Sequence, residues 1–171
     1  MPAALNHRGG SCPTDNPYPA SAHRPSLDCM NIGDVVRTKG TAVVTIAGQA
    51  TVAELVELLA QHNIGAVVVS ADGRAIDGIV TERDVVRWLA RDGADVLSQP
   101  VSVIMTTKVV TADPDQKLED AAHTMTYSRI RHLPVVENGA LAAIISIGDV
   151  VKYRIDQLTD ERNHLLEYLH N

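Results

Sequence analysis

Thr81-Glu82-Arg83-Asp84 and Ser146-Ile147-Gly148-Asp149 follow one pattern, in which a hydroxyl-bearing residue precedes an aspartate by three positions. Each tetrad closes a strand-like apolar run and opens a helix-like one. Aligning the chain outward from the tetrads pairs Ile64 with Ile130 at an offset of 66 residues, and Asp84 with Asp149 at an offset of 65. A single-residue deletion in a turn reconciles the two offsets. The sequence therefore predicts a duplicated module, and any function must be argued for a pair of repeats.

Composition favours a folded aliphatic core. The chain has 171 residues, of which 45% are hydrophobic and only 3% aromatic, with no Phe. Each half of about 60 residues is marginal for independent stability, so we expect the halves to pack against each other. The interior must be built from Val, Ile, Leu and Ala, which favours buried strands and close-packed helices.

Charge and apolar patterning exclude several classes of function. The net charge of -6 argues against a nucleic-acid partner, because backbone phosphates are bound through a basic stripe. No apolar run is long enough to cross a bilayer, and no signal peptide precedes the repeats, so we expect a cytoplasmic protein without a membrane partner. Cys12 and Cys29 both precede the repeats, which fits a reduced compartment.

The pattern divides the chain into four parts. Residues 1–29 are rich in Pro, Gly, Ser and Asn and are predicted to be a disordered extension. We expect the first repeat at residues 30–92, the second repeat at 93–155 and a C-terminal helix at 156–171. The apolar residues of this last helix predict packing either on its own domain or on an identical subunit, and the sequence leaves both open.

Each repeat reads strand, helix, strand, strand, helix. In the first repeat, Thr51 and Glu54 form a predicted capping box that opens the helix. The expected strands of this repeat are 41–46, 64–70 and 76–80, and Thr81 starts its second helix. In the second repeat, the predicted strands are 108–111, 133–136 and 141–145, with a turn at 137–139. Asp113 is the predicted cap of its first helix, with Pro114 at the first helical position. A short helical turn is expected at 101–105, matching one at 32–36.

These features resemble a tandem pair of cystathionine-β-synthase (CBS) domains. The resemblance depends on four stretches in the expected order and register: residues 62–69, 78–86, 128–136 and 144–151. It implies an α+β fold of two pseudo-symmetric βαββα repeats packed through their sheets. It also implies two clefts that each take an adenine nucleotide, and assembly into a homodimer.

The tetrads support two interpretations. Thr81 with Asp84, and Ser146 with Asp149, form capping boxes that need no ligand. The resemblance instead implies that each Asp accepts hydrogen bonds from ribose hydroxyls, while the hydroxyl residue and the free amides of the helix start bind a phosphate. Capping and binding can coexist.

Arg131 and His132 are the most informative difference between the halves. Their counterparts, Gly65 and Ala66, have no side-chain donor, whereas Arg131 is a permanent bidentate phosphate donor. We therefore predict one strong nucleotide site and one weak, empty or differently occupied site. We also expect the double variant Asp149→Ala, Arg131→Ala to bind adenine nucleotides less well than native protein.

The resemblance further implies that strand backbone groups hold the adenine edge. The complete set of expected ligand-binding residues is Thr45, Ile64, Gly65, Ala66, Thr81, Arg83, Asp84, Val110, Thr111, Ile130, Arg131, His132, Pro134, Ser146 and Asp149.

The resulting hypothesis is a regulatory module that senses AMP, ADP, ATP or NAD(H) and passes the ligand state to a partner protein, which the sequence does not identify. No cofactor is required, and we predict no catalytic residue and no metal site, because the histidines show no ligand spacing with the cysteines. The alternatives are a ligand-free dimeric interaction protein and a small nucleotide-processing enzyme with His132 as its base.

Overall fold

The computed structural model describes residues 30–170, so the predictions for residues 1–29 lie outside the described part of the chain. The elements in chain order are α1 (Ile32–Lys39), β1 (Thr45–Ile46), α2 (Val52–His62), β2 (Ala66–Val69), β3 (Gly78–Thr81), α3 (Glu82–Asp92), a 3-10 helix (Gly93–Ser98), α4 (Val101–Ile104), α5 (Leu118–Tyr127), β4 (His132–Glu137), β5 (Ala140–Ser146) and α6 (Ile147–His170). No helix in this range has the length and apolar character needed to span a membrane.

Two small sheets carry the repeats. In the first sheet, β1 pairs parallel with β2, and β2 pairs antiparallel with β3. In the second, β4 and β5 form an antiparallel hairpin, and Ala112 bridges Val135 in the parallel direction that β1 takes toward β2. Asn138 and Gly139 both have positive φ at the hairpin tip, as a tight two-residue turn requires. The predicted α+β class with two equivalent repeats is confirmed.

The predicted capping box at the start of α2 is confirmed. The Thr51 amide donates to Glu54 Oε2 at 2.7 Å, and the Glu54 amide donates to Thr51 Oγ1 at 3.2 Å. The helix ends at Asn63, which adopts the left-handed conformation with φ of 51°. Asparagine tolerates this conformation better than most residues. Its backbone amide donates a hydrogen bond to the carbonyl groups of the last helical turn.

The start of the second repeat differs from the prediction. Helix α5 begins at Leu118 with Lys117 as its cap, so the proposed cap at Asp113 is wrong. The Leu118 amide donates to the carbonyl of Met30 rather than to that of Pro114, which instead accepts from Gly33. Because these backbone groups bond outward to another segment, residues 114–117 cannot form a first helical turn.

Two predicted strands are also shorter than expected. The strand expected at 41–46 is limited to β1, Thr45–Ile46. The stretch 108–111 forms no strand, and only the next residue, Ala112, bridges to β4. The β-branched composition of both stretches indicated strands. Only Thr45 and Ile46 in the first stretch, and Ala112 just after the second, have a neighbouring strand to pair with.

The segments that lead into each repeat complete the core of the other repeat. The core around α2 and β2 includes Val101 and Ile104 of α4, whereas the core around α5 and β5 includes Ile32 and Val35 of α1. Equivalent backbone bonds hold both segments: Ile32 N to Gln116 O at 2.9 Å, and Val101 N to Ala50 O at 2.8 Å. Core packing therefore crosses the expected boundary near residue 93, and the four-part division itself stays a prediction.

Val101 and Val103 offer a matched test of this packing, because they lie on the same short helix. Val101 is fully buried and Val103 is 45% exposed. We expect Val101→Ala to lower the free energy of unfolding by about 2 kcal/mol, through lost burial and a residual cavity. Val103→Ala should change it by less than about 0.5 kcal/mol. Urea unfolding followed by circular dichroism measures both. Equal effects would contradict the assignment of α4 to the first core.

Candidate functional site

A cleft lies between the repeats, at the start of α3. We call it the first cleft, and its volume is about 360 Å³. It combines the tetrad of one repeat with the strand lead-ins of the other. The lining residues are Gly65, Ile79, Thr81, Glu82, Arg83, Asp84, Arg87, Thr106, Lys108, Val109, Val110, Ser128, Arg129, Ile130, Arg131 and His132.

Thr81 and Asp84 form a complete capping box at this cleft. Asp84 Oδ2 accepts from the Thr81 amide at 2.9 Å and from its hydroxyl at 2.7 Å, and the Asp84 amide donates to Thr81 Oγ1 at 3.3 Å. The other carboxylate oxygen, Oδ1, has Arg87 Nη1 at 3.9 Å, beyond hydrogen-bond distance. Asp84 therefore caps α3 with one oxygen and keeps a second oxygen that can accept from a hydroxyl group.

Arg131 and His132 line the first cleft, together with Asp84. The Asp149 side chain lines a different cleft, and a third cavity brings Arg131 and His132 together with Ser146 of the second tetrad. At the first cleft, the tetrad of the first repeat faces the start of the hairpin of the second repeat. His132 is half-buried. Burial lowers its pKa, the positive charge of Lys39 lowers it further, and Glu82 and Asp149 oppose the shift. The neutral imidazole can donate one hydrogen bond without adding charge.

The first cleft is strongly cationic. Five basic side chains surround it, against the carboxylates of Glu82 and Asp84; the five are Arg83, Arg87, Lys108, Arg129 and Arg131. Within residues 30–170, four of these five have no carboxylate within 4.0 Å, the exception being Arg87. Unpaired cations around a concave surface raise its affinity for anions. The arrangement suits a phosphate-bearing ligand.

A second cleft, of about 400 Å³, lies beside the other tetrad. Asp149 Oδ2 accepts from the Ser146 amide at 2.7 Å and from its hydroxyl at 2.8 Å, as in the first tetrad. The same oxygen also accepts from Lys39 Nζ at 2.7 Å, and this ammonium donates to the Ile144 carbonyl at 3.0 Å. The end of α1 thus places a paired ammonium at the capping oxygen of Asp149.

The family assignment follows from comparison with known proteins. The model of the CBS-domain family matches residues 32–91 and 101–156, which together form more than half of the chain. The chain belongs to the CBS-domain family. The resemblance of the sequence to a tandem CBS pair is therefore confirmed.

Several CBS proteins are similar over most of the chain. The mitochondrial CBS domain-containing protein CBSX3 of Arabidopsis thaliana is 33% identical, over 91% of this chain and 80% of its own length. The crystal structure of the CBS-domain containing protein ATU1752 from Agrobacterium tumefaciens has a TM-score of 0.71 and 47% identity, over 73% of this chain and 99% of that chain. CBS domain protein PAE2072 from Pyrobaculum aerophilum, complexed with AMP, has a TM-score of 0.63 and 26% identity, covering 70% and 89% of the two chains.

The remaining expected residues of the CBS pair are distributed unevenly. Thr45, Ala66, Thr111 and Pro134 line neither of the two clefts, and Ala66 and Pro134 are buried within their strands. The expected residues that do line the first cleft are Gly65, Thr81, Arg83, Asp84, Val110, Ile130, Arg131 and His132. Ile64 and Ser146 line a third cavity, next to Gly65 and His132. For all of these residues, ligand binding stays a proposal.

Lys39, Lys108 and Arg129 were missed in the sequence, although one signal was available. The helical turns at 32–36 and 101–105 match at an offset of 69 residues, and extending this match by three positions pairs Lys39 with Lys108. In the CBS pair these two lysines lie beside Asp149 and at the first cleft respectively. No local pattern in the sequence marks Arg129 as a binding residue, although it lies within the stretch 128–136.

The Lys39 contact predicts a titration change at Asp149. Burial raises the pKa of Asp149, but the Lys39 hydrogen bond, the Ser146 amide and hydroxyl, and the Lys39 charge together hold it below its ordinary value. Lys39→Met removes two of these lowering contributions. We therefore expect the pKa of Asp149 to rise in the variant, as measured by a carboxyl-carbon NMR titration. Lys152→Met, at the same cleft, is the control and should leave this pKa nearly unchanged.

The same pair predicts a pH-dependent stability. A carboxyl with a lowered folded pKa adds stability above its unfolded pKa of about 4, and this stability is lost as the pH falls through the folded pKa. Native protein should exceed Lys39→Met by at most about 1 kcal/mol at pH 7, since the pair is partly exposed. Below about pH 4 the difference in unfolding free energy should shrink. A difference that grows toward acid pH would contradict the ion pair.

Proposed function

We propose that this chain is a regulatory ligand-binding module whose first cleft binds an adenine nucleotide, AMP or a related adenylate. One observation carries the proposal: a free carboxylate oxygen of Asp84 and an excess of unpaired cations face the same cavity. A ribose offers hydroxyl donors to the first and a phosphate offers negative charge to the second. The AMP complex of the CBS protein PAE2072 supports this choice of ligand class.

The cleft dimensions and walls agree with the proposal. A volume of about 360 Å³ lies within the range of small-molecule sites. Val109, Val110 and Ile130 supply apolar walls for a base, while Arg83 and Arg131 supply positive charge for a phosphate. In this proposal the module signals whether its nucleotide is bound and does not catalyse a chemical reaction.

Regulation follows from the position of the cleft. Both repeats contribute its walls, so a bound nucleotide bridges them. Such a ligand shifts the relative packing of the repeats by as much as its affinity differs between the two arrangements. A protein partner that contacts both repeats would sense this shift.

Titration calorimetry with AMP tests the assignment of the first cleft. We expect Arg131→Ala and Asp84→Asn each to weaken AMP binding by about tenfold or more, because each removes a charge-assisted contact. Asn at position 84 retains an oxygen that can cap α3. Asp149→Asn is the matched control, since it makes the same change at the second cleft.

A second control tests whether removing an arginine away from the first cleft also weakens AMP binding. Arg74→Ala removes an exposed arginine that does not line the first cleft. It should leave the AMP dissociation constant within about twofold, as expected for a screened surface charge. Undetectable binding by native protein, or equal losses in the Asp84 and Asp149 variants, would refute the assignment.

We further propose that the module is a homodimer that uses α6. Val151, Ile155 and Leu158 are 50%, 57% and 48% exposed, so the repeats themselves do not cover them. Their 4-3 spacing places them on one side of the helix, and Leu165 continues the side seven residues beyond Leu158. A second copy of the chain would bury this apolar side by helix packing.

Sedimentation equilibrium tests the dimer. We expect native protein to sediment at twice the mass of one chain, and the double variant Ile155→Glu, Leu158→Glu to sediment as a monomer, because two carboxylates would lose solvation at the interface. Thr159→Glu, an exposed position on the same helix, should remain dimeric. A monomeric native protein, or a dimer in the double variant, would contradict the interface.

A further inference from the structure

The first cleft contains more unpaired positive charge than a single phosphate can use. Arg131 and the neutral His132 already provide donors for one phosphate group. Arg83, Lys108 and Arg129 line the same cavity and have no carboxylate within 4.0 Å in the described part of the chain. In a chain of net charge -6, this local excess is a marked departure from the overall balance.

The pseudo-symmetric positions show that the excess is confined to one cleft. Arg83, Arg129 and Arg131 correspond to Gly148, Asn63 and Gly65, which carry no charge. Arg87 and Lys108 correspond to Lys152 and Lys39, and Lys39 is already paired with Asp149. The fold is therefore compatible with uncharged residues at three of these five positions. Packing alone does not account for the arginines.

Arg129 adds an independent observation. Its backbone is left-handed, with φ of 55°, at the end of α5. The corresponding residue at the end of α2 is Asn63, with φ of 51°. Asparagine is enriched in this conformation, whereas an arginine there is uncommon. A side chain kept in an unfavourable backbone conformation, at the wall of a cavity, indicates a role for that side chain.

We propose that the first cleft prefers adenine nucleotides with two or more phosphates, such as ADP and ATP, over AMP. Arg129 and Lys108 determine this preference by binding the phosphates beyond the first. The inference depends on the proposed function, because it specifies the ligand of the same cleft. Each additional phosphate adds negative charge that an unpaired cation can bind through charge-assisted hydrogen bonds.

Calorimetric titration with adenosine, AMP, ADP and ATP, without divalent cations and at fixed ionic strength, measures the preference. We expect ATP to bind native protein at least about tenfold more tightly than AMP, with ADP between them. Raising the salt concentration should weaken ATP binding more than AMP binding, because more charge is neutralised.

Two variants identify the residues. Arg129→Asn installs the residue of the equivalent position, so the fold should be at least as stable as native, as measured by thermal unfolding. Arg129→Asn and Lys108→Ala should each reduce the ratio of ATP affinity to AMP affinity by about threefold or more, and the double variant should bring it near one. Asn63→Ala, at the equivalent helix end outside the first cleft, should retain the native ratio.

The outcomes separate this inference from the proposed function. Equal affinities of native protein for AMP and ATP would overturn the preference and leave the nucleotide site intact. A native ratio retained in the double variant would overturn the roles of Arg129 and Lys108. If none of the four ligands binds, both the inference and the proposed function fail.

Discussion

The exchange of lead-in segments is the constraint on which the rest of the structure depends. Neither repeat closes its core with its own residues: α1 fills the second core and α4 fills the first. Paired backbone bonds fix both segments, with Asn31 bridging Lys117 and Pro100 bridging Thr51. Because each half of about 60 residues is marginal alone, this exchange makes the two repeats one stability unit. It also fixes the geometry of the clefts between them.

Because the clefts lie between the repeats, sequence differences between the two repeats become differences between the two candidate binding sites. Every wall is shared, so a residue such as Arg131 faces the tetrad of the opposite repeat. The arginines that distinguish the repeats therefore collect at the first cleft, whereas the second cleft contains the paired Lys39. The two repeats have similar backbones, and a few charged side chains make the two clefts electrostatically different.

The sequence predicted what local chemistry determines. The capping boxes at Thr51 and Thr81, the hairpin turn at Asn138-Gly139 and the α+β class follow from short-range patterns, and the structure has all of them. The proposed cap at Asp113 was wrong because tertiary bonds to α1 displaced a favourable local signal. The sequence did not predict that Arg131 and Asp84 line one cleft, because a repeat alignment gives equivalence between positions but does not give contact between them.

The two tetrads also differ in the positive charge around the aspartate. In both, one carboxylate oxygen caps a helix, so capping does not compete with a ligand for the other oxygen. At Asp149 the capping oxygen also accepts from Lys39, and this ammonium is held further by the Ile144 carbonyl, so its positive charge is already paired. Among residues 30–170, the cation nearest Asp84 is 3.9 Å away, and the other cations of the first cleft are exposed and have no carboxylate within 4.0 Å. For one and the same nucleotide, the first cleft therefore offers the phosphate more uncompensated positive charge, and the two sites would differ in affinity even with identical aspartates.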